Sequence, residues 1–197
     1  DKEQPQVLHL CTPHYLHTPM AKMAAERGIH VFTEKPPVIS QAQWEEFRKL
    51  GEQIRVGVCF QNRYNPSVAY CQELLESGKA GKILGARGFV TWRREAPYYT
   101  ESGWRGSLAT EGGGALINQS IHTLDLMGVF LGKGKVLGAS LANRHLAGVI
   151  EVEDTLEAAM DYSGARGLFY ATTAYCTDAP ILLELVCENM TLRIEGE

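Results

Sequence analysis

The chain has no C-x-x-C pair, no long apolar run, no large excess of either charge and no low-complexity tract or internal repeat. Each absence excludes something. The five cysteines, Cys11, Cys59, Cys71, Cys176 and Cys187, are scattered and odd in number. They read as reduced thiols of a cytoplasmic protein rather than as a disulfide framework or a zinc ribbon. No stretch approaches the roughly 18 apolar residues a membrane span needs, and Asp1-Lys2-Glu3-Gln4 is no signal peptide. A net charge of −4 with interspersed signs offers no electrostatic case for nucleic acid or an anionic membrane. His9, His14 and His17 lie close in sequence. However, His9 alternates within a strand and no cysteine or carboxylate joins them at ligand spacing, so no metal is expected. What is present is ordinary globular composition: 197 residues, 45% apolar and 21% charged, enough for one core or one core and part of another.

Two patterns follow one another along the chain. Strands at 7–10, 29–33 and 54–60 alternate with helices at 18–27 and from Ser40 onward. Gly28 stops the first helix, Pro19 suits its first turn, and residues 12–17 read as a loop. Strand–helix alternation predicts parallel strands with right-handed crossovers, the second half of a doubly wound sheet. After Gln61 the pattern changes. A helix from Asn65 to Ser77 precedes a strand at 83–93, a Tyr- and Gly-rich loop at 97–114 and a helix from about 115 to 131. Strand-like stretches at 136–143, 154–162, 165–176, 182–187 and 191–195 complete the chain, with Gly164 placed for a hairpin. The fold class is α/β, its second part α+β with a large, mostly antiparallel, open-faced sheet. The units are 1–61 and 62–197.

The run from Glu111 to Asp125 carries the most chemistry. Three glycines, Gly112, Gly113 and Gly114, open a segment with Asn118, His122 and Asp125 at i, i+4 and i+7. On a helix that spacing puts an amide, an imidazole and a carboxylate on one face. Burying them together is costly unless they are paired or line a wet cleft. Lys35, in Glu34-Lys35-Pro36, stands at the carboxyl end of a strand that Pro36 terminates. Open α/β sheets place ligands at that end.

Glu34-Lys35-Pro36, Arg63-Tyr64-Asn65-Pro66, Trp104-Arg105-Gly106 and the glycine run followed by Asn118-Gln119-Ser120-Ile121-His122-Thr123-Leu124-Asp125 occur in an order and spacing that resemble a family. It is the glucose–fructose oxidoreductase, inositol dehydrogenase and MocA family of NAD(P)-dependent sugar and polyol dehydrogenases. The resemblance implies a Rossmann domain, NAD or NADP as cofactor, and hydride transfer to or from a secondary alcohol of a sugar, polyol or sugar derivative. It implies cofactor contacts from Thr12, Pro13, His17, Glu34, Lys35 and Gln61. Arg63, Tyr99, Trp104, Arg105 and Asn118 would meet substrate, with Tyr98 on the same loop. Lys35, His122 and Asn118 would be catalytic. His122 is the natural candidate for the base and Lys35 would hydrogen-bond the same oxygen; Asn118 can donate and accept but not act as a base, which concentrates that role on His122 or Lys35. Asp125 either orients His122 or anchors the helix, the second being favoured. His14 stands where many relatives carry Asn.

The chain departs from the family pattern in having no G-x-G-x-x-G strand–turn–helix; Gly132-Lys133-Gly134 comes nearest but follows a helix. The expectation is therefore a fragment, an enzyme as a whole protein, whose isolated chain binds NAD(P) weakly or not at all. The competing expectation is a non-catalytic scaffold or oligomerisation module. In either case the open sheet face is expected to form a homo-oligomer.

Overall fold

A computed structural model describes residues 3–196. Strands β1 (Val7–Leu10), β2 (His30–Thr33) and β3 (Val56–Val58) form a parallel sheet in the order β1-β2-β3. Its register pairs Val7 with His30 and Val31 with Val56. Helices α1 (His14–Ala25) and α2 (Gln41–Phe47) pack on it. Leu10, Ala21, Ala24, Val31, Phe47, Leu50 and Ile54 form its small core. β3 is shorter than the strand expected at 54–60. Only the Cys59 N–H continues the ladder, to the Thr33 carbonyl, before the chain turns away.

Helix α1 begins before Thr18, contrary to the sequence expectation. Pro13 caps it and Pro19 lies inside it rather than in its first turn. A proline there leaves the carbonyl four residues back without its donor. That carbonyl, of Tyr15, accepts from Gln43 Nε2 at 3.2 Å. Gln43 also closes the start of α2: its N–H donates to Ser40 Oγ and its Oε1 accepts from the Ile39 N–H. One side chain thus ties down the entry to α2 and repairs a broken helix ladder.

The remainder comprises α3 (Pro66–Glu76), β4 (Ile83–Thr91), α4 (Ala96–Thr100), α5 (Ile121–Leu131), β5 (Lys135–Ala142), β6 (Thr155–Asp161), β7 (Arg166–Thr172), β8 (Ile181–Cys187) and β9 (Thr191–Gly196). Six strands form one sheet in the order β5-β6-β7-β4-β8-β9. Only β4 and β7 pair parallel; the other neighbours are antiparallel. One face packs against α3 and α5 around Val68, Val90, Met127, Phe169, Leu183 and Leu185. Gly88 lets α5 approach: a Cβ there would meet Phe169, the Met127 sulfur and Thr123 at 3.0–3.1 Å. The other face is open, with Arg87 paired to Glu184 and Leu168 and Val186 exposed.

The single helix expected from 115 to 131 is broken. Residues Ala115–Gln119 form a π-helical turn and α5 starts at Ile121. Ser120 makes the break. Its N–H and its Oγ both donate to the Ala115 carbonyl, and Oγ also to that of Leu116. Asn118 and His122 therefore lie on successive helical pieces. The i, i+4 argument placed them near one another for a reason the backbone does not follow.

Candidate active site

The cleft lies between the carboxyl ends of β1–β3 and the loop that leads into the π turn. Close packing sets that loop. A Cβ on Gly112 would lie 2.3 Å from Cβ of Ile39, and one on Gly114 would lie 2.0 Å from the Glu153 carbonyl oxygen. Glu153 accepts from the N–H groups of Gly114 and Leu116, both at 2.9 Å, so a carboxylate caps the π turn. The Tyr15 N–H reaches the Thr110 carbonyl at 3.2 Å, tying α1 to the same loop.

Lys35 enters from the end of β2, its peptide to Pro36 cis, and Nζ donates to the Asn118 carbonyl at 2.5 Å. Burial pushes the ammonium pKa down and the Arg105 charge adds to this, while Glu34, Glu111 and Cys59 oppose it. His122 sits on the first turn of α5 with the edge of Phe60 against it, ring centroids 5.7 Å apart. Its Nδ1 is buried and has no hydrogen-bond partner. Burial and the Lys35 charge push its pKa down, against Asp125 and Glu34. The imidazole is thus held on the neutral side near pH 7. Asp125 does not touch it; its carboxylate takes Arg63 Nε and an Arg63 terminal nitrogen at 2.7 and 2.5 Å.

Around these groups the loop supplies a cation between rings. Arg105 lies 4.5 Å from the Tyr98 ring centre and 4.8 Å from that of Trp104, and its Nε is buried without a partner. Trp104 packs edge-on to His14, centroids 4.5 Å apart. His14 donates from Nδ1 to the Glu111 carbonyl. Burial drives its pKa down to about 4, with the charges of Lys35, His17 and Arg105 acting in the same sense.

The structure brings Lys35, Asn118, His122, Trp104 and Arg105 to one cleft, with Thr12, Pro13, Glu34 and Gln61 along the strand ends beside it. Three expected residues are placed differently. Tyr99 is in the interior among Leu146, Ile150 and Val152, its hydroxyl on Thr173. α4 turns its neighbour Tyr98 toward Arg105 instead. His17 is fully buried, its ring nitrogens 2.7 Å from the Pro36 and Thr12 carbonyl oxygens. It joins two loops and presents nothing to a dinucleotide. Arg63 is committed to Asp125 and lies over the Phe60 ring. Cys11 and Glu34 also approach His9, one potential ligand atom of each lying within 4.8 Å of the others. Sequence spacing hid this, because adjacent parallel strands bring the three together.

One residue of the run from Glu111 to Asp125 has no role in the sequence reading. Glu111 is fully buried. Oε1 accepts from Asn118 Nδ2 and Oε2 from the Gly106 N–H, both at 2.5 Å. A single acid before a glycine run looks solvated. No periodicity marks it, because its partners come from a turn and a π-helical segment.

Comparison with known proteins identifies the family and the fold. The profile of an oxidoreductase family with an NAD-binding Rossmann fold matches residues 1–61, and that of the GFO/IDH/MocA C-terminal domain matches residues 68–193. Levoglucosan dehydrogenase of Pseudarthrobacter phenanthrenivorans is 30% identical over 140 residues, 69% of this chain and 35% of that protein. D-glucoside 3-dehydrogenase of Escherichia coli is 32% identical over 135 residues, 66% of this chain and 36% of that protein. The chain thus spans about a third of the length of these relatives. Among solved structures, the WlbA dehydrogenase of Bordetella pertussis, in complex with NADH and UDP-GlcNAcA, superposes with a TM-score of 0.90 at 32% identity. That match covers 97% of this chain and 59% of that one. Levoglucosan dehydrogenase in complex with NADH and levoglucosan gives 0.86 at 26% identity, over 96% and 54%. The chain belongs to the GFO/IDH/MocA family of oxidoreductases.

Proposed function

We propose that the whole protein carrying this chain moves a hydride between NAD or NADP and a secondary alcohol of a sugar, polyol or sugar derivative. Residues 1–61 contribute to the cofactor domain and 62–197 form the substrate domain. The observation that carries the reading is a buried Lys35 ammonium, held on the Asn118 carbonyl, close enough to His122 for its charge to act on the imidazole. A site that holds His122 neutral and Lys35 desolvated suits removal of a hydroxyl proton at neutral pH.

The residues fit a nicotinamide cofactor at the strand ends. Thr12, Pro13, Glu34 and Gln61 follow the ends of β1, β2 and β3, where such a group would lie. When bound, the nicotinamide supplies the hydride acceptor. His122 takes the alcohol proton on its imidazole. Lys35, anchored on the Asn118 carbonyl, donates to the same oxygen and stabilises developing negative charge. Asn118 accepts from a neighbouring hydroxyl through Oδ1. Tyr98, Trp104 and Arg105 form a rigid wall against the ring of the substrate.

Relatives act on anhydrosugars, glucosides and inositols, and a neighbour holds a nucleotide-linked uronic acid. The test is therefore a panel of these compounds with NAD and NADP, followed as reduced nicotinamide, in the whole protein. No turnover with any of them would remove the dehydrogenase reading. We further propose that the open sheet face pairs with a second copy. It carries a depression of about 510 Å³ lined by Phe89, Leu168 and Tyr170 among others. Among the described residues no helix is long and apolar enough to cross a membrane.

A further inference from the structure

We propose that Glu111 is a positioning residue of this site: its carboxylate fixes the Asn118 amide with Oδ1 toward the cleft and supplies beside Lys35 the negative charge that Asn118 cannot carry. This rests on the roles given above to Lys35 and Asn118. Three observations lead to it. First, Glu111 is 0% exposed, yet among the described residues only two groups donate to its carboxylate, the Gly106 N–H and Asn118 Nδ2. An ionised carboxylate is costly to bury on so few donors. Second, the Asn118 bond settles an ambiguity. A carboxylate only accepts, so the amide must turn its nitrogen inward, and Oδ1 is left with no donor among the described residues. Third, the same asparagine holds Lys35 through its backbone carbonyl, so carboxylate and ammonium meet on two sides of one residue. Glu111 also accepts His14 on its main-chain carbonyl. Loop, π turn and α1 therefore converge on one acid.

The charged groups facing the pair are few. Arg105 and Glu153 act on Glu111, and Glu34, Arg105, Glu111 and Cys59 act on Lys35. Burial raises the Glu111 pKa, while its two donors and Arg105 oppose this. Removing the carboxylate takes away one of the influences that keep Lys35 protonated.

The test uses this chain with its lysines reductively methylated with ¹³C-formaldehyde, so that Lys35 is titrated by NMR without substrate or cofactor. Glu111→Gln is expected to move the Lys35 titration to lower pH. Glu111→Gln combined with Asn118→Asp places a carboxylate on the other side of the same hydrogen bond, and is expected to return the titration toward wild type. Asp154→Asn, which alters a buried carboxylate outside the cleft, is expected to leave Lys35 unmoved. In the whole protein, Glu111→Gln is expected to lower kcat roughly tenfold or more, with the KM for NAD(P) unchanged. A folded Glu111→Gln chain whose Lys35 titrates as in wild type overturns the proposal, as does a double variant no closer to wild type than the single. If Glu111→Gln does not fold, Glu111→Asp keeps the charge and shortens the reach. Retained Lys35 titration with reduced kcat then supports the proposal, and unchanged kcat overturns it. A Lys35 response in a protein that turns over no sugar would sink the dehydrogenase reading and leave the coupling intact.

Discussion

Glu111 and Asp154 are both fully buried carboxylates in the same half of the molecule, and the structure treats them oppositely. Asp154 accepts from the N–H groups of Arg144, His145 and Leu146 and from the Thr155 hydroxyl. Burial pushes its pKa up, but these donors outweigh burial and hold it below the usual carboxylate range. Glu111 has two donors and burial wins, so its pKa is raised. The first is a knot that closes the loop before β6. The second is kept incompletely satisfied beside a lysine, an asparagine and His14. Partial satisfaction at constant burial separates a carboxylate that serves the fold from one placed for chemistry.

The sharpest way to break this comparison is to remove the Asp154 carboxylate. Asp154→Ala leaves four donors around an empty site and should destabilise the chain by about 3–5 kcal/mol, read from urea denaturation. A loss under 1 kcal/mol would mean that the knot is decorative. In the cleft the expectation reverses, with activity lost and the fold kept. His122→Ala and Lys35→Met should each lower kcat of the whole protein by roughly 10²-fold or more, while the unfolding midpoint moves little. Near-wild-type turnover across pH 6 to 9 (about the span over which histidine titrates) would remove His122 from the mechanism.

A pH effect should come from the cleft as well. The pKa of His14 falls from the histidine value of 6.5 to about 4 on folding. Between those values the unfolded chain binds a proton that the folded chain refuses. Stability is therefore full above pH 6.5, falls as pH drops toward 4, and levels off below it. The cost is on the order of 2–3 kcal/mol. His14→Asn keeps a donor for the Glu111 carbonyl and should flatten that acid limb. An unchanged slope between pH 4 and 6.5 in the variant would assign the limb to other groups.

Much of the fold was legible because its signals are local. Val7–Leu10 and His30–Thr33 are apolar runs with clear stops, and Ser163-Gly164 turns a hairpin with both residues at positive φ. Lys35 was legible because a proline after a strand announces a strand end. Three things were not. The start of α1 was hidden because Pro19 reads as a first-turn proline unless Gln43, far along the chain, is known to repair the ladder. Choosing between Tyr98 and Tyr99 needs the phase of α4, a helix of five residues too short to show a period. Glu111 takes its meaning from partners at Gly106 and Asn118, and no helix joins it to either.

The smallest expected effect concerns Asp125 and decides between its two possible roles. Its bidentate partner Arg63 is about half exposed, so solvent screens the pair, and Asp125→Asn should cost only about 1 kcal/mol of stability. The charges facing His122 are Lys35, Asp125 and Glu34. Removing the Asp125 carboxylate takes away an influence that raises the His122 pKa, so the imidazole becomes still more firmly neutral. If neutral His122 is the base, kcat at pH 7 should stay within about twofold of wild type while the acid limb of the pH profile moves to lower pH. Asp125 then anchors α5 to the segment before α3 and tunes the base from a distance. A fall in kcat of the order seen on removing His122 itself would instead make Asp125 the group that orients the ring, and the ion pair with Arg63 would have to open for catalysis.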